Sequence, residues 1–340
     1  MIDFRYHLVS IVAVFLALAI GIVLGSTELQ GPAFSLLDKT TSKLQSELGQ
    51  VSSQRDTAQQ QATEGELYAQ AVEPAVLRGL LTGHRLLIVT EPGAQSSVVS
   101  GITTAAIHAG ASVTGEINLQ PKFFDTSGTA QDSLNQTTVA VAQPAGIQLD
   151  TSATYQQQAA QVIASEILTA SSASAGSQPG GQGASAATML QAYAASQFLS
   201  TSGQPATPAT LAVVVTPQNA PADGSADQLA QVLIPLVQEM AAKSAATVVV
   251  GSSAGSGAGS PISVLRSNSV ASQVSTVDDA DLAAGQTVAM QALAVELAGG
   301  KAGSYGFTAN GASAIAPSPA PTPSASASAT PTSSTKKAKK

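Results

Sequence analysis

The chain has 340 residues, of which 10% are charged and 4% aromatic, and it carries 14 Lys+Arg against 21 Asp+Glu. Lys336, Lys337, Lys339 and Lys340 crowd the extreme C-terminus, so the rest is acidic and lacks the basic stripe that phosphate neutralisation needs, which argues against nucleic-acid binding. The absence of cysteine excludes a disulfide framework, a lipoprotein acyl site, a zinc–thiolate cluster and a thiol nucleophile.

The first element is apolar. Residues 6–27 carry no formal charge, and the run LVSIVAVFLALAIGIVLG (8–25) builds a helix ~27 Å long at ~1.5 Å per residue, close to the ~30 Å of bilayer hydrocarbon. A secretory signal has a shorter apolar region of ~7–15 residues and a small-residue cleavage site, which Val23-Leu24-Gly25 before Ser26 matches only loosely. Residues 1–27 therefore read as an uncleaved membrane anchor, ahead of a cleaved signal or a buried core helix. Arg5 and the α-amine precede the span, favouring a cytoplasmic N-terminus and an external body in a single-pass protein. Ala13, Ala17, Gly21 and Gly25 recur every four residues, a ridge along which two membrane helices can approach; an Ala-rich span also supplies small residues by composition alone.

Residues 28–75 read as a stalk. Leu37, Leu44, Val51 and Ala58 repeat at seven-residue spacing, and Leu48 follows Leu44 by four, giving a thin coiled-coil seam. Thr41 and Arg55 occupy the other expected apolar positions, so a lone juxtamembrane helix is the competing reading, and Pro74 is the expected stop. The seam and the ridge together predict a homo-oligomer.

A different pattern fills 83–310. RLLIVT (85–90), then EPG, then SSVVSGITTAAIHAG (96–110) and ASVTGEINL (111–119) read as strand, turn, helix and strand, with a right-handed crossover. Helical stretches near 155–170 and 187–199, TLAVVVT (210–216), a helix near 226–243 and ATVVVG (246–251) continue the alternation. Strands without polar alternation demand a sheet covered on both faces, so the fold class is α/β with an open, mostly parallel sheet. Residues 171–187, 201–209, 216–226 and 251–261 are small and polar and read as loops, and 316–340 as a disordered Pro/Ser/Ala tail with a basic end.

Candidate chemistry is sparse. The Gly-rich stretch after TVVVG has no Lys-Ser/Thr after a GxxxxG, Ser260 replaces the third glycine of a GxGxxG, and Pro261-Ile262 opens no obvious helix, so nucleotide binding is disfavoured. In STVDDAD (275–281), Asp278, Asp279 and Asp281 offer oxygens to a hard cation. The preferred reading is a helix start, in which Thr276-x-x-Asp279 forms a capping box. His7, His84 and His108, with Met189, Met240 and Met290, are scattered without the clustering that copper ligation requires, so no cofactor is evident. No GxSxG, HExxH or cysteine nucleophile supports an enzyme.

The N-terminal MIDFRYHLVSIVAVFLALAIGIVLGS, the Leu/Gln-rich stalk and VSTVDDADLAAGQTVAMQALAVELAGGKAGSYG (274–306) together resemble the actinobacterial copper-transport outer-membrane protein family, MctB. The motif residues are Ser275, Thr276, Val277, Asp278, Asp279, Gly303, Tyr305 and Gly306. The resemblance implies a membrane-anchored envelope protein in copper efflux or homeostasis, with copper as its metal. It also implies an alternative, a non-enzymatic scaffold that partners a second membrane protein to control cell-wall cleavage at division.

Overall fold

The computed structural model describes residues 4–170, 182–218, 226–253, 259–306, 312–314 and 316–317. Most of the loop expected at 171–187, parts of those at 216–226 and 251–261, and the tail beyond 317 lie outside the described residues. The chain divides into two compact units, Met1–Gly65 and Glu66–Lys340.

The first unit is the greater part of one uninterrupted helix, α1 (Phe4–Leu77). Within it Arg5–Gly25, with mean hydropathy 2.9, is the one segment among the described residues long and apolar enough to cross a membrane. Further along, Thr40, Thr57 and Thr63 each donate a hydroxyl hydrogen bond to the carbonyl four residues earlier, so these side chains are satisfied on the helix itself.

The second unit begins with the last turns of α1. The helix passes the expected stop at Pro74 and ends at Leu77. Leu77 and Leu81 are fully buried, and that apolar burial holds the helix past the residue that cannot donate its backbone bond.

The chain then alternates: β1 (Arg85–Thr90), α2 (Ser96–His108), β2 (Ser112–Leu119), α3 (Gly128–Ala145), α4 (Tyr155–Ile167), α5 (Gln182–Ala195), β3 (Leu199–Gly203), β4 (Leu211–Val215), α6 (Ala226–Lys243), β5 (Ala246–Val250), α7 (Pro261–Arg266), β6 (Ser275–Val277), α8 (Ala283–Leu297) and β7 (Ser304–Tyr305). The strands form one seven-stranded sheet in the order β3-β2-β1-β4-β5-β6-β7. All neighbours are parallel except β3, which runs antiparallel to β2.

Strand periodicity sends alternate residues into two cores. Leu87, Val89, Ala212, Val214 and Val249 pack with α3, α4, α5, α6 and α7 on one face. Leu86, Ile88, Leu211, Val213, Val248 and Val250 pack with α2 and α8 on the other. The three-layer α/β expectation therefore holds, and β1 and α6 match their expected limits.

Four local expectations fail. The stretch expected as a loop at 201–209 begins as the end of β3, whose Ser200, Thr201, Ser202 and Gly203 are exposed because it is an edge strand with no core face to fill. The second expected helix, 187–199, starts earlier and gives up its last residue to β3. Pro261-Ile262 does open a helix: Ser260 accepts the Ser263 amide as N-cap, and Pro261 supplies the preset φ of a first turn. Residues 275–277 are strand β6 rather than the approach to a helix cap.

Candidate functional site

In an open parallel sheet, ligands bind beyond the carboxyl ends of the strands, where successive crossovers diverge. Here β1 passes the chain to α2 on one face and on to β2, whereas β4 passes it to α6 on the opposite face and on to β5. The switch point therefore falls between the ends of β1 and β4, which run on into Glu91-Pro92-Gly93 and Thr216-Pro217-Gln218.

Glu91 extends the β1–β4 ladder by one residue, its amide donating to the Val215 carbonyl at 2.9 Å. Only 2% of it is exposed. Neither carboxylate oxygen has a hydrogen-bond partner among the described residues. Burial alone pushes its pKa up to about 8. Neighbouring polar side chains bond elsewhere: Thr90 donates to Asn118 Oδ1 at 2.6 Å, the Thr216 hydroxyl donates to the Val250 carbonyl at 3.2 Å, and the side-chain amide of Gln95 donates to that of Gln218. Gly93 adopts the left-handed φ of 86° that lets the β1 turn lie against Pro217.

The same edge, three strands away, is built differently. Arg266, at the end of α7, donates to Thr276 Oγ1 at 2.9 Å, to Asp278 Oδ2 at 2.7 Å and to the Tyr305 carbonyl at 2.7 Å. At the opposite, amino ends of β5 and β6, Glu296 on α8 accepts the Ser275 amide and hydroxyl at 2.9 and 2.6 Å and the Thr247 amide at 3.1 Å. Burial raises the Glu296 pKa, and those three bonds pull it back. Ser275 Oγ accepts the Gly303 amide at 3.1 Å, tying β6 to β7. A Cβ on Gly306 would fall 1.6 Å from Asp278 Oδ1, so only glycine fits there. Asp279 beside this network is raised to about 6, by burial first and then by the charges of Asp278 and Asp281.

The structure thus brings Ser275, Thr276, Val277, Asp278, Gly303, Tyr305 and Gly306 together, with Asp279 alongside. Their geometry corrects the expected capping box. Thr276 lies inside β6 and bonds Arg266, while α8 starts six residues beyond β6 with no side-chain cap from Leu282. The first-turn amide of Ala283 is taken by Glu66 of α1, whose two oxygens lie at 3.0 and 3.2 Å. The cation reading is likewise unsupported. Asp278 is held by Arg266, and Asp281 accepts the Ser253 amide and hydroxyl at 3.0 Å each. Among the described residues no three His, Cys, Asp or Glu converge on a metal position.

The soft donors are dispersed. His84 Nδ1 lies 3.3 Å from Thr210 Oγ1, and His108 Nδ1 lies 2.8 Å from Glu73 Oε1. Met189, Met240 and Met290 are buried core residues. Ala13, Ala17, Gly21 and Gly25 lie exposed on α1, as do Leu37, Leu44, Leu48, Val51 and Ala58.

Sequence reading missed Glu91, Arg266, Glu296 and Glu66. The available signals were position and scarcity. Glu91 directly follows the first aliphatic strand, Arg266 is the sole charged residue between 244 and 277, and Glu296 is the last acid in the chain.

Comparison with known proteins adds a full-length match. The sequence profile of the family described as "Copper transport outer membrane protein, MctB" matches residues 1–317. The chain is similar to the proteins named copper transporter MctB of Mycobacterium tuberculosis and Mycobacterium bovis, at 26% identity over 317 residues, which is 93% of this chain and 99% of each relative. The Mycobacterium leprae protein of the same name is also 26% identical, over 326 aligned residues.

Proposed function

This chain belongs to the MctB copper-transport family, a membrane protein family, and from that membership we propose that it is an anchored envelope component of copper efflux or copper homeostasis. The observation that carries this reading is the collinear match to proteins named as copper transporters, which runs from the apolar helix through the β6–β7 network. In the proposed arrangement Arg5–Gly25 spans the membrane once, with the N-terminus in the cytoplasm and the α/β unit outside. Copper is the cargo and no catalysis is involved.

The donor set shapes the mechanism. A copper site ordinarily gathers thiolate, thioether or imidazole groups, and the described histidines and methionines of one chain stand apart. Any copper contact is therefore assigned to an assembly of several copies, formed through the anchor ridge and the exposed seam of α1. Such a homo-oligomer would juxtapose equivalent residues of each copy, His7 in the first turn of the span being the nearest candidate.

A second reading is supported by the same dispersal. A catalytically empty chain with a long exposed helix also suits a scaffold that engages a second membrane protein to regulate cell-wall hydrolysis. One experiment separates the two: a strain lacking the gene, grown across a copper series, with total cell copper and septum morphology scored in the same cultures. Copper accumulation with normal septa is expected for the transport role. Unchanged copper tolerance with chained cells would overturn it in favour of the scaffold.

A further inference from the structure

We propose that the switch point between the ends of β1 and β4 is a binding site for a nitrogen cation, a guanidinium or ammonium group, with Glu91 as its anchor. The proposal does not depend on the copper reading, because it uses a different part of the molecule and a different ligand chemistry.

Three observations converge. Glu91 lies where the crossovers to α2 and α6 leave on opposite faces, the position at which open α/β sheets place ligands. That acid is 2% exposed, and neither of its oxygens has a hydrogen-bond partner among the described residues, a state that native interiors rarely leave uncompensated. Polar side chains next to it bond one another or the backbone instead: Thr90 to Asn118, Thr216 to the Val250 carbonyl, and Gln95 to Gln218.

That last point selects the ligand. A metal ion needs several converging donors, and among the described residues no three His, Cys, Asp or Glu converge, nor does any neighbouring charge act on Glu91. Two vacant oxygens on one carboxylate match a planar pair of N–H donors, the geometry in which guanidinium binds carboxylate most strongly. Ammonium satisfies the same oxygens one at a time. No positive charge acts on Glu91, so an anionic ligand is disfavoured beside it.

Binding is coupled to a proton. Burial is the only cause of the raised Glu91 pKa of about 8, so at neutral pH the acid is protonated. A bound cation restores the carboxylate, and the carboxyl proton leaves to solvent, one per cation bound. Among the described residues the Gly93 turn rests against Pro217, and one neutral side-chain hydrogen bond joins Gln95 to Gln218.

The test uses the full chain in detergent micelles, titrated with methylguanidinium or ethylammonium chloride against sodium chloride at equal ionic strength. Melting temperature and heat of binding are followed from pH 6 to 9. A saturable rise in melting temperature is expected, with affinity increasing about tenfold per pH unit up to about pH 8 and levelling above it. The Glu91→Gln variant, a neutral mimic of the protonated acid, should fold and lose both the saturation and the pH slope. A Gln218→Ala variant, which removes that hydrogen bond without touching the anchor, should bind at least as tightly as the parent and faster.

An arginine-containing tripeptide and free methylguanidinium distinguish the source of the group. Tighter binding of the peptide identifies a partner's side chain, and tighter binding of the free cation a small metabolite. No saturation with either cation in the parent, an unchanged response in the Glu91→Gln variant, or weakened binding in the Gln218→Ala variant would overturn the proposal.

Discussion

Asp278 and Glu91 stand one residue past their strands on the same edge of the same sheet, and both are buried. Asp278 meets a guanidinium at 2.7 Å, and that guanidinium also holds Thr276 and the Tyr305 carbonyl. Glu91 meets nothing among the described residues and keeps its proton. One fold thus handles a buried acid in two ways, and the contrast separates architecture from availability. An acid with its counter-charge supplied locally serves to bind β6, β7 and α7 together. An acid left neutral retains two free oxygens.

Breaking the satisfied half should have the largest effect. Arg266→Ala leaves Asp278 buried without its counter-charge, and removing one partner of such a pair costs about 3–5 kcal/mol. Denaturant unfolding of the full chain should show this as a fall in midpoint at unchanged slope. The paired replacement Arg266→Met with Asp278→Leu removes both charges and should recover most of the loss. A paired variant no more stable than Arg266→Ala would mean that the bonds to Thr276 and Tyr305, rather than the buried charge, hold the edge.

The opposite sign is expected at Glu91. Its folded pKa of about 8 exceeds the ordinary 4.5, so the folded state holds a proton that the unfolded chain gives up. Its contribution is therefore fully present below pH 4.5, declines as pH rises from 4.5 to about 8, and is flat above. Glu91→Gln should stabilise the protein, on the order of 3 kcal/mol at pH 7 from ~1.4 kcal/mol per pH unit, and should flatten the stability curve between pH 6 and 8. Asp279 acts in a lower window, from 3.8 to about 6, which leaves the upper range clear for the comparison. Equal slopes in parent and variant would place the Glu91 pKa near its ordinary value and erase the contrast with Asp278.

The two acids also differ in how readable they are from the sequence. The strands β1, β4 and β5 announce themselves because a sheet covered on both faces needs uninterrupted aliphatic runs. β3 does not, since LSTSG serves an exposed edge and has the composition of a loop. β6 is three residues long, and its Thr276 and Asp279 mimic a capping box at the spacing where a strand end and a turn happen to place them. The motif 275–306 was visible as a unit, but its organiser Arg266 lies outside it. Glu91 was visible only as the start of a turn, because its isolation depends on which strands flank β1, and strand order is not written in local pattern.

The smallest expected effect concerns the acid that replaces the capping box. Glu66 is partly buried, accepts the Ala283 amide through both oxygens, and is steadied by the Gln70 side-chain amide at 3.0 Å. It serves α8 as an N-cap residue would, although 217 positions separate donor and acceptor. Side-chain caps contribute about 0.5–2 kcal/mol, and a negative charge at a helix N-terminus adds a favourable dipole interaction. Glu66→Ala should therefore destabilise by about 1 kcal/mol, and Glu66→Gln by less, because the amide oxygen still accepts the hydrogen bond. Thr276→Ala separates this account from the capping box: it removes the Arg266 contact and leaves the α8 cap intact, so amide exchange at Ala283 should quicken in the Glu66→Ala variant and stay at the parent rate in Thr276→Ala. Faster exchange in the threonine variant alone would return the cap to the 275–281 segment.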